Sequence, residues 1–229
     1  MNYNDYFFPV ILTDLNKPWE KVLSLGSPVT FAARSIIPPK TRPGDEGLYF
    51  IRKGRVRLSN ISYNGQERIM MYMGSATLFS EVPMFQYSAG SAIFSAMEST
   101  RAVFFPKKIF TKKFIAESPD LFLNLFESLS KKSLCMYLQL CTLRTMSSFG
   151  NVCRILYCMY LFNRVRGVVN PRLTQQELAA FLGIHRSSLH KTLNRLQDKG
   201  IIGTYRRNAL DIFEPEKLKC CAIDEKACN

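Results

Sequence analysis

The stretch over residues 174–193 constrains the fold of this chain more than any other. Thr174 followed by Glu177 fits a capping box, in which each side chain bonds the backbone N–H of the other residue and satisfies free donors at a helix start. Apolar residues then recur at helical spacing, and Gly183 can take the left-handed conformation that ends a helix. The pattern predicts a helix starting at Thr174, a sharp corner and a second helix.

The second helix of this pair has one apolar face and one basic face. Leu189, Leu193 and Leu196 fall at helical intervals and are predicted to face the core. The outer face is predicted to carry Arg186, Ser187, His190, Lys191 and Arg195. Side chains of these types reach base edges and phosphates of DNA, whereas in an ordinary pair of surface helices they would only be solvated.

A wing is predicted after this helix. Gly200 and Gly203 end the helix, and residues 204–213 are typical of an extended segment with a turn at Asn208. Residues 183–210 contain six Lys or Arg side chains and one acidic side chain, a balance that favours the phosphate backbone as partner. The whole pattern is that of a winged helix-turn-helix bound to double-stranded DNA.

The helix-turn-helix provides two predicted groups of DNA contacts. Base contacts are predicted for Arg186, Ser187, His190 and Lys191. Phosphate contacts are predicted for Thr174, Gln175, Gln176, His185, Ser188, Arg195, Arg206 and Arg207.

Composition restricts the classes of protein to consider. The 229 residues, 47% of them hydrophobic, suffice for one large domain or two modest ones. A net charge of +13 favours an anionic partner, which is either nucleic acid or an acidic membrane surface. No apolar run is long enough to span a bilayer, and the N-terminus is unlike a signal peptide, so a cytoplasmic protein is expected. A membrane-surface or RNA-binding protein would not need a capped helix, a glycine corner and a wing in this order.

The residues of common active sites are missing from this sequence. Both histidines lie inside the predicted helix-turn-helix, and no phosphate-binding glycine loop is present, so an enzyme is not expected. The seven cysteines are an odd number in mostly apolar surroundings, which suits reduced thiols without a metal. Cys220, Cys221 and Cys228 leave open an iron–sulfur cluster or a redox response.

Short β-rich runs separated by turns fill residues 29–105 and predict about eight strands of a small all-β barrel or sandwich. A short helix is predicted before them, over residues 19–25. Residues 48–51 are typical of a buried strand. Asn64 and Gly65 indicate a two-residue hairpin turn.

The periodicity becomes helical after Pro106. A short helix is predicted near residues 110–115, and Pro119 then opens a long helix, since proline is tolerated at the first helical position. Its apolar residues are Leu121, Leu125, Leu129, Leu134, Leu138 and Met146. Such a stripe predicts a two-stranded coiled coil and a homodimer through residues 119–146. Residues 149–151 are expected to break the helix, and residues 152–165 to form the next one.

The order of these parts resembles the Crp/Fnr superfamily of bacterial transcription regulators. The resemblance is clearest over residues 44–54, 79–85 and 173–202. It implies an α+β fold: a cyclic-nucleotide-binding-like β-barrel (jelly roll) over residues 1–117, a dimerisation helix over 118–148 and a winged helix-turn-helix over 149–229. It also implies a small-molecule effector bound between barrel and long helix, an inverted-repeat operator and, for an activator, RNA polymerase as a partner.

Departures from the best-known members bear on the effector. Cyclic-nucleotide binders of the family carry Gly-Glu at the position of Ser80-Glu81, and an Arg-Ser pair where Gly90, Ser91 and Ala92 stand here. Without that cation a buried cyclic phosphate lacks a counter-charge, which argues against cyclic AMP. The cysteine cluster of the oxygen sensors and a histidine for haem are also missing from the barrel region.

Residues 6–9 and 95–101 locally resemble the branch that responds to halogenated and other phenolic acids. In that branch a lysine of the long helix helps to select the phenolate. Lys132 is the nearest match, with Lys131 and Tyr137 as alternatives in the same helix; otherwise Lys131 and Lys132 are a solvated helix face. The resemblance implies an effector site formed by Tyr72, Leu78, Phe79, Ser80, Glu81, Lys132 and Tyr137. A metabolite-binding module without DNA binding is the alternative of another class.

Overall fold

The computed structural model describes residues 7–38, 45–63, 65, 67–86, 92–165 and 168–224. They divide into two compact units. The barrel unit comprises Ile11–Leu134. The C-terminal unit comprises the described residues of Met1–Val10 and Cys135–Asn229.

The barrel unit contains two β-sheets. Its strands are β1 Ile11–Leu12, β2 Ser27–Phe31, β3 Ile36–Ile37, β4 Gly47–Lys53, β5 Val56–Ile61, β6 Glu67–Met73, β7 Thr77–Phe79, β8 Ala92–Ala96 and β9 Thr100–Pro106. One sheet has the order β1-β6-β5-β8-β3 and the other β2-β9-β4-β7. All pairs are antiparallel except β1 with β6. The rings of Phe79 on β7 and Phe94 on β8 lie 5.4 Å apart, which joins the two sheets through their apolar faces.

This architecture confirms the predicted all-β region. Eight of the described strands lie between Ser27 and Pro106. The apolar run in β4 is fully buried, as its sequence predicts. The two-residue hairpin is wrong, because Ile61 pairs with Glu67, so five residues and not two separate the paired positions. Gly65 takes a φ of 77° there, whereas Asn64 lies outside the described residues.

Helical segments flank the sheets of the barrel unit. They are the 3-10 segments Lys17–Leu25 and Lys107–Ile109, the α-helices α1 Glu81–Gln86 and α2 Lys112–Glu117, and the part up to Leu134 of α3 Pro119–Thr145. Trp19 of the first segment is fully buried, and its ring lies 5.6 Å from that of Phe105 on β9. The predicted helices near residues 19–25 and 110–115, and the opening of the long helix at Pro119, are confirmed.

The long helix α3 carries apolar residues on more than one face, and the predicted dimer stripe mixes these faces. Leu121 and Leu125 are 6% and 2% exposed in the barrel unit's own core, and Leu129 packs against that core. Leu138 is 7% exposed, whereas Leu134 is 55% exposed. Burial within one chain accounts for Leu121, Leu125 and Leu138 and in part for Leu129, and the dimer predicted through residues 119–146 stays a prediction.

The C-terminal unit is mainly helical. Its elements are α4 Ser148–Phe162, β10 Arg164–Val165, β11 Val168–Val169, α5 Gln175–Leu182, α6 Arg186–Asp198 and α7 Pro215–Ile223. Helix α4 is the buried centre and packs against α6 and α7. The aromatic N-terminal residues join this unit: the Phe7 ring lies 4.9 Å from that of Tyr157, and the Arg154 guanidinium lies 5.1 Å from the centre of the Phe8 ring.

The helix break predicted at residues 149–151 is wrong. Helix α4 already begins at Ser148, because the Ser147 hydroxyl caps it by accepting a 3.0 Å hydrogen bond from the Gly150 backbone N–H. Gly150 is tolerated in this first turn, because its backbone N–H, which has no partner inside the helix, bonds to the capping hydroxyl of Ser147. The predicted end at residue 165 is also wrong, since Arg164 and Val165 form β10.

Five of the six described cysteines are free thiols, and three of these five are buried. Cys135, Cys153 and Cys158 are buried, Cys141 is half-buried and Cys220 is exposed, all of them unbonded. Burial raises the pKa of Cys135 to about 11 and also raises the pKa of Cys158, so both stay protonated. The expectation of reduced thiols is wrong for Cys221, which is buried and disulfide-bonded. Cys228 lies outside the described residues.

Candidate nucleic-acid interface and sensor site

The start and end of α5 follow the predicted local signals. The Thr174 backbone N–H donates to Glu177 Oε2 at 2.6 Å, and the Glu177 backbone N–H donates to Thr174 Oγ1 at 3.2 Å. Gly183 ends the helix in the left-handed region with φ 67° and ψ 31°. The capping box and the glycine corner are confirmed, and together they fix where α6 begins.

Helix α6 presents a polar face to solvent. Leu189, Leu193 and Leu196 are at most 1% exposed, as predicted. The four predicted base-contact residues, Arg186, Ser187, His190 and Lys191, are all exposed. Arg195 does not lie on this face: it is half-buried, with its guanidinium 4.3 Å from the centre of the Phe149 ring on α4. Its predicted place on the outer face is wrong, because cation–π packing holds its guanidinium against α4.

His185 has a structural role that sequence reasoning missed. It is the N-cap of α6, and its Nδ1 accepts a 3.3 Å hydrogen bond from the Ser187 backbone N–H. Ser187 Oγ lies 2.8 Å from the same Nδ1. Histidine is not among the common N-cap residues, so only its position just before the helix could have indicated this role.

The predicted wing is present beside α6. Ile202 and Arg206 form antiparallel bridges with Ile212 and Ala209, which leaves Arg207 and Asn208 at the turn. Gln197 Nε2 on α6 donates to Thr204 Oγ1 at 3.3 Å at the base of the wing. Arg206 and Arg207 are exposed.

Tyr205 connects the wing to the start of the helix-turn-helix. Its hydroxyl donates to the Leu173 carbonyl at 3.0 Å. Burial raises the pKa of Tyr205 above its ordinary value, so the hydroxyl remains a donor. The wing is therefore held to the segment just before α5.

The other predicted phosphate contacts border the outer face of α6. Thr174, Gln176, His185 and Ser188 are exposed, and Gln175 is half-buried. Thr174 already uses its backbone N–H and its hydroxyl in the capping box. The C-terminal unit thus places basic and polar groups at the start of α5, along α6 and at the wing turn.

In the barrel unit, Lys132 of α3 is buried in an ion pair. Its ammonium bonds Glu81 Oε1 at the start of α1 and donates to the Leu78 carbonyl at 2.7 Å. Lys132 and Glu81 have side-chain exposures of 8% and 7%. The alternative of a solvated Lys131–Lys132 face is wrong for Lys132, whereas Lys131 is exposed.

Helix α3 holds Leu78 by a second polar contact. The Leu78 backbone N–H donates to Asn16 Oδ1 at 2.9 Å, and the Ser128 hydroxyl donates to the same oxygen at 3.0 Å. Asn16 Nδ2 also donates to Asn124 Oδ1 at 2.9 Å. The Leu78 backbone N–H is therefore bonded to Asn16, which in turn contacts Asn124 and Ser128 of α3. The Leu78 carbonyl is bonded directly to Lys132 of α3.

Among the other predicted effector residues, Phe79 and Ser80 lie between Leu78 and Glu81 in the chain, whereas Tyr72 and Tyr137 lie on other elements. Phe79 is fully buried, with its ring stacked 5.0 Å from that of Tyr49. Ser80 has a φ of 75°, is 1% exposed, and its hydroxyl has no hydrogen-bond partner among the described residues. Tyr72 is fully buried on β6 in the other sheet, and Tyr137 is 62% exposed on α3 in the C-terminal unit.

The structure also bears on three further features: the segment over residues 90–92, a metal site and a membrane-spanning helix. Gly90 and Ser91 lie outside the described residues, and Ala92 opens β8. Among the residues that the structure describes, no three His, Cys, Asp or Glu side chains are grouped to hold a metal ion. Within that same part of the chain, no helix is both long and apolar enough to cross a membrane.

Two family models match the two halves of this arrangement. A cyclic nucleotide-binding domain matches residues 28–116, and a Crp-like helix-turn-helix domain matches residues 152–221. An effector-binding barrel joined to such a DNA-binding domain defines a class of transcription regulators. The chain belongs to the Crp/Fnr family of these regulators. It is a regulator rather than an enzyme, as are its relatives.

Individual relatives are distant in sequence but similar in fold. The chain is 25% identical over 195 residues to a CRP-like cAMP-activated global transcriptional regulator of Mycobacterium tuberculosis, covering 83% of this chain and 86% of that protein. A CooA mutant from Carboxydothermus hydrogenoformans gives a TM-score of 0.77 at 18% identity, with 92% and 100% coverage. CprK complexed with OCPA gives 0.74 at 18% identity, with 91% and 97% coverage. The α+β fold class is confirmed.

Proposed function

We propose that this chain binds an inverted-repeat operator as a homodimer in the cytoplasm and responds to a small aromatic acid. The observation that carries the proposal is the outer face of α6, where Arg186, Ser187, His190 and Lys191 are exposed above a buried leucine face. In a winged helix-turn-helix this face enters the major groove, so these four side chains contact bases. Exposed groups at the start of α5 and at the wing turn contact phosphates.

The homodimer forms through a second apolar face of α3. Leu123, Phe126, Tyr137 and Leu140 are 63%, 56%, 62% and 57% exposed. Together with Ser130 and Ser133, they repeat in alternating steps of three and four residues, which is the 3.5-residue period of a two-stranded coiled coil. Regulators of this family usually dimerise, and a second copy of α3 buries these side chains.

Dimer symmetry determines the form of the operator. Two copies of α6 related by a twofold axis bind half-sites in inverted orientation, about one helical turn apart. Ser187 occupies the position where many family members carry a glutamate, so the half-site differs from the common ones. If the bound dimer activates transcription, RNA polymerase is a further partner.

The effector proposal rests on the buried Lys132 ammonium. Its counter-charge is Glu81 of the same chain, so an acid that enters the barrel unit can replace Glu81 at the ammonium. The buried Ser80 hydroxyl has no hydrogen-bond partner among the residues that the structure describes, and the buried apolar side chains of Leu78 and Phe79 precede it in the chain. CprK, which has this fold, was solved in complex with OCPA. Cyclic AMP is the competing effector, since the matched Mycobacterium tuberculosis regulator is cAMP-activated.

The effector acts by shifting an equilibrium between DNA-binding and non-binding dimers. A preference of about 100-fold for the competent state, or roughly 2.7 kcal/mol, is enough when the two states are nearly balanced. Reciprocity requires operator DNA to tighten effector binding by the same factor.

Calorimetric titration with chlorinated phenolic acids and with cyclic AMP tests the effector. Glu81→Gln removes the internal competitor for Lys132 and is expected to tighten acid binding several-fold, whereas Lys132→Met should abolish it. Lys131→Met, at an exposed position next in sequence, is the matched control and should leave it unchanged. Binding of cyclic AMP alone, or acid binding that persists in Lys132→Met, would refute the acid effector.

Selection of DNA from a random library, followed by fluorescence anisotropy, tests operator binding. Enriched sequences should be inverted repeats bound at least about 10³-fold more tightly than random DNA at physiological salt. Equal affinity for all sequences would support instead a metabolite-binding module without specific DNA recognition.

A further inference from the structure

We infer that His185 turns the Ser187 hydroxyl into a pure hydrogen-bond acceptor, so that Ser187 selects a base carrying an exocyclic amino group. The inference rests on the proposed entry of α6 into the major groove. It assigns to a histidine at the helix start an indirect role in base selection.

The first step is to decide which ring nitrogen of His185 carries the proton. The Ser187 backbone N–H can only donate, and it points to His185 Nδ1 at 3.3 Å. Nδ1 must therefore carry a free lone pair, which places the proton of the neutral ring on Nε2. Because this bond caps α6, the start of the helix stabilises this tautomer.

The second step concerns the Ser187 hydroxyl. Its Oγ lies 2.8 Å from the same Nδ1, which has no proton to give, so the hydroxyl donates. A serine has one O–H proton and two acceptor lone pairs. With the proton directed to His185, the exposed Ser187 side chain offers only lone pairs to a ligand.

The third step is the match to base edges. In the major groove, hydrogen-bond donors are the N4 amino group of cytosine and the N6 amino group of adenine, whereas guanine and thymine present acceptors. An acceptor-only Ser187 therefore favours cytosine or adenine at one position of each half-site. A serine hydroxyl without the bond to His185 could pair with any of the four bases, since it can both donate and accept a hydrogen bond.

The same tautomer fits the phosphate contact proposed for His185. Its Nε2–H is the remaining ring donor, and a phosphate oxygen is an acceptor. Phosphate binding at Nε2 would hold the proton there and so keep Nδ1 free for Ser187. The base contact of Ser187 and the phosphate contact of His185 thereby favour the same tautomer of the His185 ring.

Sequencing of half-site libraries bound by purified full-length variants tests the inference. Wild type should prefer cytosine or adenine over guanine or thymine at one position by about three- to tenfold, the range of one neutral hydrogen bond. Ser187→Ala should abolish that preference and leave the other positions unchanged. Ser188→Ala is the matched control, because it removes a neighbouring exposed hydroxyl and should weaken all sequences equally.

Two changes at His185 separate its role from a loss of folding. His185→Asn retains an acceptor-only side-chain oxygen and a good helix cap, so the preference should be kept. His185→Ala frees the hydroxyl to donate, so guanine and thymine should become acceptable at that position. Thermal melting identifies variants in which α6 is lost.

Three outcomes would overturn the inference: a wild-type preference for guanine or thymine at the Ser187 position, an unchanged preference in Ser187→Ala, or an unchanged preference in a folded His185→Ala. Failure of the proposed function has a different signature, since wild type would then show no preference at any position.

Discussion

The ion pair in the barrel unit and the outer face of α6 hold their charged groups in opposite ways. Lys132 and Glu81 are almost fully removed from solvent and bond to each other. Arg186 and Lys191 are exposed along α6, and the capping of α5 and α6 fixes only their backbones. One site is satisfied internally, and the other has its charges directed to solvent.

This difference implies different binding energetics. At α6, DNA replaces water and counterions around charges that are already accessible, so affinity should fall steeply with salt. In the barrel unit, an acid must replace a carboxylate that the protein supplies itself, so affinity depends on an exchange between two anions. The side chains of the α6 outer face are already exposed to a ligand, whereas the sensor site must open an existing bond.

The largest expected effect follows from breaking the buried pair. Glu81→Leu leaves the Lys132 ammonium buried without its counter-charge and should lower the free energy of unfolding by about 3–5 kcal/mol. The double variant Glu81→Leu, Lys132→Met should recover most of that loss. Urea unfolding measures both, with Lys131→Met as control; a loss below about 1 kcal/mol in Glu81→Leu would show that the pair is not buried in solution.

The next effect concerns α3, which has one apolar face buried within the chain and a second apolar face exposed to solvent. Changing Leu123 and Tyr137 to Glu should raise the dimer dissociation constant at least about 100-fold, because charges enter a desolvated seam. Light scattering should then report folded monomers. Leu129→Glu should instead destabilise the barrel unit, since Leu129 packs on its core. A fully dimeric Leu123, Tyr137 double variant would refute this interface.

A smaller effect is expected from one exposed charge on α6. Arg186→Ala should weaken operator binding by about 1–3 kcal/mol and relax the preference at one base position. Arg207→Ala, at the wing turn, is the matched control and should weaken all sequences uniformly and reduce the salt slope. A uniform loss in Arg186→Ala as well would make Arg186 a phosphate contact.

The smallest effect tests the backbone that supports the exposed face. Thr174→Ala removes the cap of α5 and should cost about 1 kcal/mol of stability. Gln176→Ala, exposed on the same helix, should change stability by less than about 0.5 kcal/mol. Equal melting temperatures for the two variants would show that the capping box does not limit stability.

Prediction from the sequence succeeded where the signals are local. The capping box of Thr174 and Glu177 and the corner at Gly183 involve atoms within a few residues of each other. Their hydrogen bonds and φ angles therefore follow from neighbouring residue types. The exposure of Arg186 and Lys191 likewise follows from helical period once the helix start is fixed. The same reasoning failed for Arg195, because the ring that holds it belongs to Phe149 on another helix.

Sequence alone therefore determined the winged helix-turn-helix, the β-rich region and the long helix, since periodicity and caps act over one or two turns. Only the tertiary structure decided which apolar residues of α3 are core and which are exposed, because a helix that is apolar on several faces gives no unique period. It also decided that Lys132 meets Glu81, two residues 51 positions apart in the chain. Such a pair forms only when the fold brings distant segments together and removes both charges from water.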